Sequence, residues 1–273
     1  MIHDLPYLVK WRLLFSGEAD GATNMAVDEA ILRAVAAGLV PPTLRCYGWC
    51  PPCLSLGRGQ PASEVLVEVC ERDGVDLVRR PTGGRAILHA DELTYSVVAP
   101  QWEPRVKGGV LASYRRLSQG LLAGLERLGV PHLRADARYA HRDPAALSAV
   151  CFQVPSDYEI TVGGRKLVGS AQMRAAGVVL QHGAIPLRGD IARIARYLRG
   201  APSPRRIRER ATTVAEALGR EVTWEEAAQA LVAGFAQALH LELEPGELTD
   251  EERAWTEELR ANKYAHPHWT FRL

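Results

Sequence analysis

The sequence predicts an α+β protein. Strand-length runs rich in Val, Leu, Tyr and Thr follow one another directly across residues 44–99 and 158–185. Amphipathic runs with a 3.6-residue period are grouped elsewhere, above all after residue 190, and strand and helix runs do not alternate as βαβ units would.

Taken in order, residues 9–15 read as a strand, and residues 23–37 as a helix with Met25, Ala26, Ala30, Ile31, Ala34 and Val35 on one side, closed by Gly38. Short strands at 44–48 and 54–58 precede a helix at 63–72 ending at Gly74. Strands at 75–80, 85–88 and 93–99, separated by Pro81-Thr82-Gly83-Gly84 and Ala90-Asp91-Glu92, read as a meander. A long helix at 110–128 leads into a loop-rich stretch through residues 134–144. A second hairpin set then runs from Tyr158 through the Gly163-Gly164 turn to Gly169, and on to a strand at 178–185. The last third is mostly helical, at 191–198, 207–218, 223–239 and 249–264. Thr223-x-x-Glu226 and Thr249-x-x-Glu252 have capping-box form. Pro202 and Pro204 are too close together to mark a linker, so one domain over residues 1–273, helical from about 190, is expected.

Bulk properties bound the function. With 47% hydrophobic and 24% charged residues the 273-residue chain is of ordinary globular composition, and a net charge of +1 supplies no global field for nucleic acid or an anionic membrane. The first fifteen residues contain Asp4, Lys10 and Arg12 and no apolar run of signal-peptide type, and no window approaches a membrane span, so a cytoplasmic location is expected. Five cysteines without an export signal point to reduced thiols.

Four constellations could carry chemistry. In Arg79-Arg80-Pro81-Thr82-Gly83-Gly84-Arg85-Ala86-Ile87-Leu88-His89, paired glycines expose backbone N–H groups beside three guanidiniums. That suits an anionic or acyl-carbonyl ligand, although a plain hairpin with solvated arginines has the same composition. Cys151, in Cys151-Phe152-Gln153-Val154-Pro155-Ser156, is a loop thiol before a strand, readable as a nucleophile or as a small buried hydrophobe. Lys166 follows the Gly163-Gly164 turn, which would set it opposite Thr161, with Val168 and Ser170 on its own face and Glu159 diagonal to it. An amine there is either solvated or deprived of solvation and chemically useful. Cys46-x-x-x-Cys50-x-x-Cys53 has the cysteine spacing of radical-type iron–sulfur enzymes, but Pro51-Pro52 fills the last interval; a structural zinc completed by Cys70 or a histidine, and buried thiols, are the competing readings. His182, His266 and His268 read as hydrogen-bonded strand and tail histidines and receive no role.

Asn24-Met25-Ala26-Val27-Asp28-Glu29-Ala30, Leu56-Gly57-Arg58-Gly59-Gln60, the arginine and Gly-Gly run to His89, and Lys166-Leu167-Val168-Gly169-Ser170-Ala171-Gln172 resemble, in order, the signatures of the lipoate-protein ligase and octanoyltransferase superfamily, with a fainter echo at Asn262-Lys263-Tyr264-Ala265. The resemblance implies the biotin/lipoate ligase fold, a mixed and largely antiparallel sheet flanked by helices. The acyl chain would lie beside the Gly83-Gly84 loop, with Lys166 at the carbonyl and Arg80, His89, Gly169 and Ser170 around it. Cys151 and the Arg85 and His89 contexts are similar to the octanoyltransferase branch of Bacillus type, in which the Cys151 loop would accept the acyl group. That branch implies an octanoyl acyl carrier protein as donor, a lipoyl domain such as the glycine cleavage H protein as acceptor, no ATP, metal or other cofactor, and a monomer. An ATP-dependent lipoate ligase and an amidotransferase between carrier domains share the resemblance. Carrier domains being acidic, Arg79, Arg80 and Arg85 are expected to steer them.

Overall fold

Strand β1 (Val9–Ala19), helix α1 (Gly21–Ala36) and strand β2 (Thr43–Trp49) open the chain, with Asp20 capping α1 by accepting from the Thr23 N–H at 2.7 Å. Next come β3 (Cys53–Leu56), α2 (Val67–Arg72), β4 (Asp76–Arg79), β5 (Ile87–His89), β6 (Glu92–Pro100), α3 (Val110–Arg127) and β7 (Leu133–Asp136). Then follow β8 (Glu159–Val162), β9 (Arg165–Ala175), β10 (Val178–Pro186), a 3-10 segment (Ile191–Tyr197), α4 (Pro204–Arg208), α5 (Val214–Leu218) and α6 (Trp224–Leu239). The chain closes with β11 (Leu241–Pro245), α7 (Asp250–Leu259), which runs on as a π turn (Arg260–Tyr264), and α8 (Pro267–Thr270). The computed structural model describes residues 7–136 and 159–273.

Eight strands form one mixed sheet in the order β11-β1-β2-β6-β10-β9-β8-β7, parallel across β11, β1 and β2 and antiparallel from β2 to β7. Helices α3 and α6 cover one face. Leu117, Leu121 and Leu125 of α3 and Leu231 and Phe235 of α6 pack with Leu44, Cys46, Tyr95 and Val97 of the sheet in one buried cluster. The two helices touch where glycines remove the side chains: a Cβ on Gly234 would lie 2.2 Å from the backbone nitrogen of Gly124. Helix α1 covers the opposite face, where Val27, Ile31 and Val35 meet Val98, Val178 and Leu180. A second sheet, β4-β3-β5, packs with the 3-10 segment, and Leu54, Leu56, Ile87, Ile194, Tyr197 and Ile207 make its core.

The α+β architecture is present, with several departures from the expected detail. No meander forms, because β3 lies between β4 and β5, while β6 belongs to the large sheet. Two parallel pairs, β1–β2 across α1 and β3–β4 across α2, are βαβ units that local runs did not disclose. Strands β7 and β11 are not evident in the sequence, because each is short and finds its partner far along the chain, Leu133 opposite Val162 and Leu241 beside Val9. The helix expected over 207–218 is two, since the backbone between them pairs with β9: the Lys166 N–H donates to the Arg210 carbonyl at 2.7 Å and the Thr212 N–H to the Lys166 carbonyl at 2.9 Å. Thr249 and Glu252 form the complete capping box. At Thr223 only half of it forms, and Glu226 turns to Arg220 at 2.6 Å.

Candidate active site

Between the large sheet, α1 and the second sheet lies a cavity with an empty volume of about 290 Å³. It is narrow, and its exposed lining is mostly apolar, contributed by Met25, Tyr47, Trp49, Ile87, Ala171 and Ala184. Its floor is built by register. Thr94 of β6, Ala184 of β10 and Gly169 of β9 lie side by side, and the next rung on that face is Ser96, His182 and Ala171. Gly169, Ala171 and Ala184 are small, so the strands leave room that larger residues would fill. Met25 of α1, Tyr47 and Trp49 of β2, and Ile87 and His89 of β5 complete the walls.

Lys166 reaches this face through a β-bulge. The Gly163-Gly164 turn pairs Thr161 with Lys166, as the turn length requires, but Ile160 then pairs with Val168, so β9 carries one extra residue. The slip reverses the alternation. Val168 joins Ile160 in the core beneath α3, whereas Lys166 takes the parity of Gly169 and Ala171, the cavity floor. The expectation that Val168 and Ser170 share the face of Lys166 is corrected by this bulge. Ser170 lies on the far side, its hydroxyl 2.8 Å from that of Tyr95, which packs on Phe235. Lys166 itself is buried.

Arg80 lines the cavity and braces the glycine loop. Its guanidinium donates to the carbonyls of Gly83 and Arg85 at 2.8 Å each and to the Ser55 carbonyl at 3.0 Å. The loop needs its glycines. Gly84 has a φ of 95°, and a Cβ on Gly57 would come within 1.9 Å of the Gly84 carbonyl oxygen, so the Leu56-Gly57-Arg58-Gly59 segment and the Gly83-Gly84 loop cross at bare backbone. His89 stacks on Trp49 with ring centroids 4.0 Å apart, and holds Glu92 through Nδ1 at 2.6 Å and Ser55 through Nε2 at 2.7 Å. Glu92 also accepts from Thr94, which accepts from the Trp49 indole at 2.8 Å, so this wall is hydrogen-bonded throughout.

The residues that sequence reasoning left without a role form the deepest network. Asp28 accepts from Arg45 at 2.8 Å, Ser96 at 2.9 Å and Tyr47 at 3.0 Å, and lies 3.1 Å from Nδ1 of His182. Burial works to raise the Asp28 carboxyl, but the hydrogen bond with His182 and the charge of Arg45 outweigh it, and its pKa is lowered. Burial also lowers His182, against the pull of Asp28. The consistent assignment is a carboxylate facing a neutral imidazole whose Nδ1–H donates to Asp28 and whose Nε2 accepts from the Thr82 hydroxyl at 2.7 Å. Asp28, in the Asn24–Ala30 motif, is thereby tied through His182 to the glycine loop. The alternation of β10, which puts His182 on the floor between Ser96 and Ala171, was the available signal.

Two further expectations are corrected. Arg79 and Arg80 cannot steer a partner: both are buried, and Arg79 donates to the carbonyls of Gly57 at 2.8 Å, Gln60 at 2.6 Å and Thr270 at 2.7 Å, clamping the C-terminal turn. Arg85 is half-buried against Glu64 at 3.3 Å. The Cys46, Cys50 and Cys53 spacing gathers no site, and no group of three His, Cys, Asp or Glu among the described residues is placed to hold a metal. Cys46 lies in the core beneath α3 and α6, and Cys53 in a separate cluster with Met25 and Tyr264. Burial pushes Cys46 up to about 12 and Cys53 well above its ordinary value, so neither supplies a thiolate. Cys50 is exposed, and Cys151 lies outside the described residues.

Residues 20–236 match the model of the lipoyl protein ligase A/B catalytic domain. The chain is 48% identical to octanoyltransferase LipM of Symbiobacterium thermophilum, covering 96% of this chain and 98% of that one, and 43% identical to octanoyltransferase LipM of Geobacillus kaustophilus over the same shares. Among solved structures, lipoate-protein ligase A bound with ATP superposes with a TM-score of 0.81 at 25% identity, covering 96% of this chain and 99% of that one. The bipartite lipoate protein ligase of Thermoplasma acidophilum, described with its E2 lipoyl domain, gives 0.80 at 25% identity, covering 96% of each. The glycine-loop cavity, the sheet that floors it and these near-full-length matches agree: the chain belongs to the lipoyl protein ligase A/B catalytic domain family, on its octanoyltransferase branch.

Proposed function

We propose that this acyltransferase takes an octanoyl group from an acyl carrier protein onto Cys151 and passes it to a lysine of a lipoyl domain, such as the glycine cleavage H protein, in lipoate biosynthesis. The observation that carries the reading is the narrow, mostly apolar cavity whose floor shares its face with Lys166. The buried state of Cys46 and Cys53 supports a nucleophile elsewhere in the chain. The Cys151 thiolate attacks the thioester carbonyl, the C–S bond to pantetheine breaks, and the leaving sulfur takes up from solvent the proton that the Cys151 thiol gave up on ionising. The acceptor's neutral lysine amine then attacks the acyl-enzyme, the amide forms, its proton passes to solvent, and the Cys151 thiolate is regenerated. One thioester replaces another and the amide lies downhill, so neither ATP nor a metal is required. Lys166 holds the carbonyl oxygen as negative charge develops on it and, as a cation, favours the thiolate over the free thiol's pKa of ~8.5. Arg80, Gly83 and Gly84 shape the entrance, and His89 and Gly169 bound the chain.

The test is intact-protein mass spectrometry after incubation with octanoyl carrier protein without ATP. The mass of one octanoyl group is expected on the peptide containing Cys151, absent in Cys151→Ala and retained in Cys50→Ala. An adduct that appears only with ATP, accompanied by an acyl-adenylate, overturns the reading in favour of a ligase.

A further inference from the structure

The net charge of +1 conceals a strong local asymmetry. Residues 188–210 contain eight arginines against Asp190 and Glu209, a net +6 over 23 residues, which leaves −5 for the rest of the chain. All eight, from Arg188 to Arg210, are exposed. Arg193, Arg196 and Arg208 line an open groove with an empty volume of about 1,000 Å³, beside Tyr197 and Pro204. Five of the eight are ion-paired, Arg188 and Arg193 with Asp91, Arg196 with Asp73, Arg205 with Glu209 and Arg208 with Asp190, so the surplus that an approaching anionic surface meets is carried mainly by the others. Arg199 and Arg206 have no ion-pair partner among the described residues.

Both ends of this strip are fastened to the candidate site. At its start Arg193 holds Asp91 at 2.5 Å, two residues beyond His89, and at its end the Arg210 carbonyl accepts from the Lys166 N–H.

We propose that this arginine strip is the docking surface for the acidic acyl carrier protein that donates the octanoyl group, and that it replaces Arg79 and Arg80 in the steering role. The inference rests on the transferase reading above. The donor is favoured over the acceptor because its acyl group travels on a long, flexible phosphopantetheine arm. That arm allows the protein to sit along a groove beside the cavity, whereas an acceptor lysine must approach the carbonyl directly.

The experiment compares acyl-enzyme formation, read by intact mass, from octanoyl carrier protein and from octanoyl-pantetheine, which has the arm but neither protein nor phosphate, in wild type and in Arg199→Glu/Arg206→Glu. Expected is a fall of at least tenfold in kcat/KM for the carrier donor, a flatter salt dependence, and a change under about twofold for octanoyl-pantetheine. Equal carrier rates in variant and wild type overturn the docking surface, and so does an equal loss with both donors. A defect confined to transfer onto the lipoyl domain overturns the donor assignment. If the wild type accepts octanoyl from neither donor, the transferase reading itself has failed, which the wild-type lane alone reveals.

Discussion

The single extra residue in β9 decides what Lys166 faces, and small neighbours decide what fits beside it. Ala184, between Thr94 and Gly169 on the floor, makes that dependence measurable. Ala184→Leu adds three carbons to a cavity of about 290 Å³, so kcat/KM for octanoyl is expected to drop by tenfold or more relative to butanoyl, since each buried methylene is worth ~0.8 kcal/mol. Deeper in, Asp28→Asn removes the charge that balances Arg45 and His182 and is expected to cost about 3–5 kcal/mol in urea unfolding. The pH dependence has a defined sign. Because His182 has a lowered pKa in the fold, the folded state binds fewer protons than the unfolded one just below ~6.5, so its contribution is intact above that pH and declines as the pH falls towards the folded pKa. The stability gap between wild type and His182→Gln is therefore expected to narrow from pH 7.5 to pH 5.5. A constant gap would show that His182 is not held neutral.

Elements that form from neighbours in the chain were legible, and those that depend on distant partners were not. The Gly163-Gly164 turn prescribes the Thr161–Lys166 pair, and the Asp20 to Gly38 stretch encodes α1 and its cap. The bulge at Leu167 was hidden, because register beyond the turn is set by β10 and by the bridge to Ala211. For the same reason, the insertion of β3 between β4 and β5 could not be read from a Gly-Gly loop that looks like a hairpin turn, nor could the burial of Arg79 against Thr270, 191 residues away. The α3–α6 contact also depends on distant residues. Gly234→Ala places a methyl against the Gly124 backbone and is expected to destabilise the protein by about 1–3 kcal/mol, lowering the denaturation midpoint without changing the m-value.

At the scale of the molecule, the large sheet divides the labour. The face under α3 and α6 is apolar core, and the opposite face carries the cavity, the Asp28 network and the glycine loop. The family motifs were legible because they are the places where backbone approaches backbone or a charge is buried: Gly57 against Gly84, Asp28 against Arg45, Lys166 beside the floor. His182, read only as a hydrogen-bonded strand histidine, and Thr82 have no evident role in the sequence because a lone histidine or threonine acquires meaning only from what lies opposite it in three dimensions. The surface field is as uneven as the interior, so carrier-dependent acylation is expected to slow as salt rises from 50 to 300 mM while octanoyl-pantetheine is used at an unchanged rate.

The proposed transfer requires the Lys166 amine, set on the face of the cavity floor by one bulge, to meet the carbonyl of the bound chain. Its most direct test is the single-turnover rate of acyl-enzyme formation from octanoyl-pantetheine in Lys166→Ala, with folding checked by circular dichroism. Loss of the group that stabilises the developing oxyanion predicts a fall of about 10²–10³-fold. A folded variant that acylates at the wild-type rate would contradict the placement of Lys166 and the mechanism built on it.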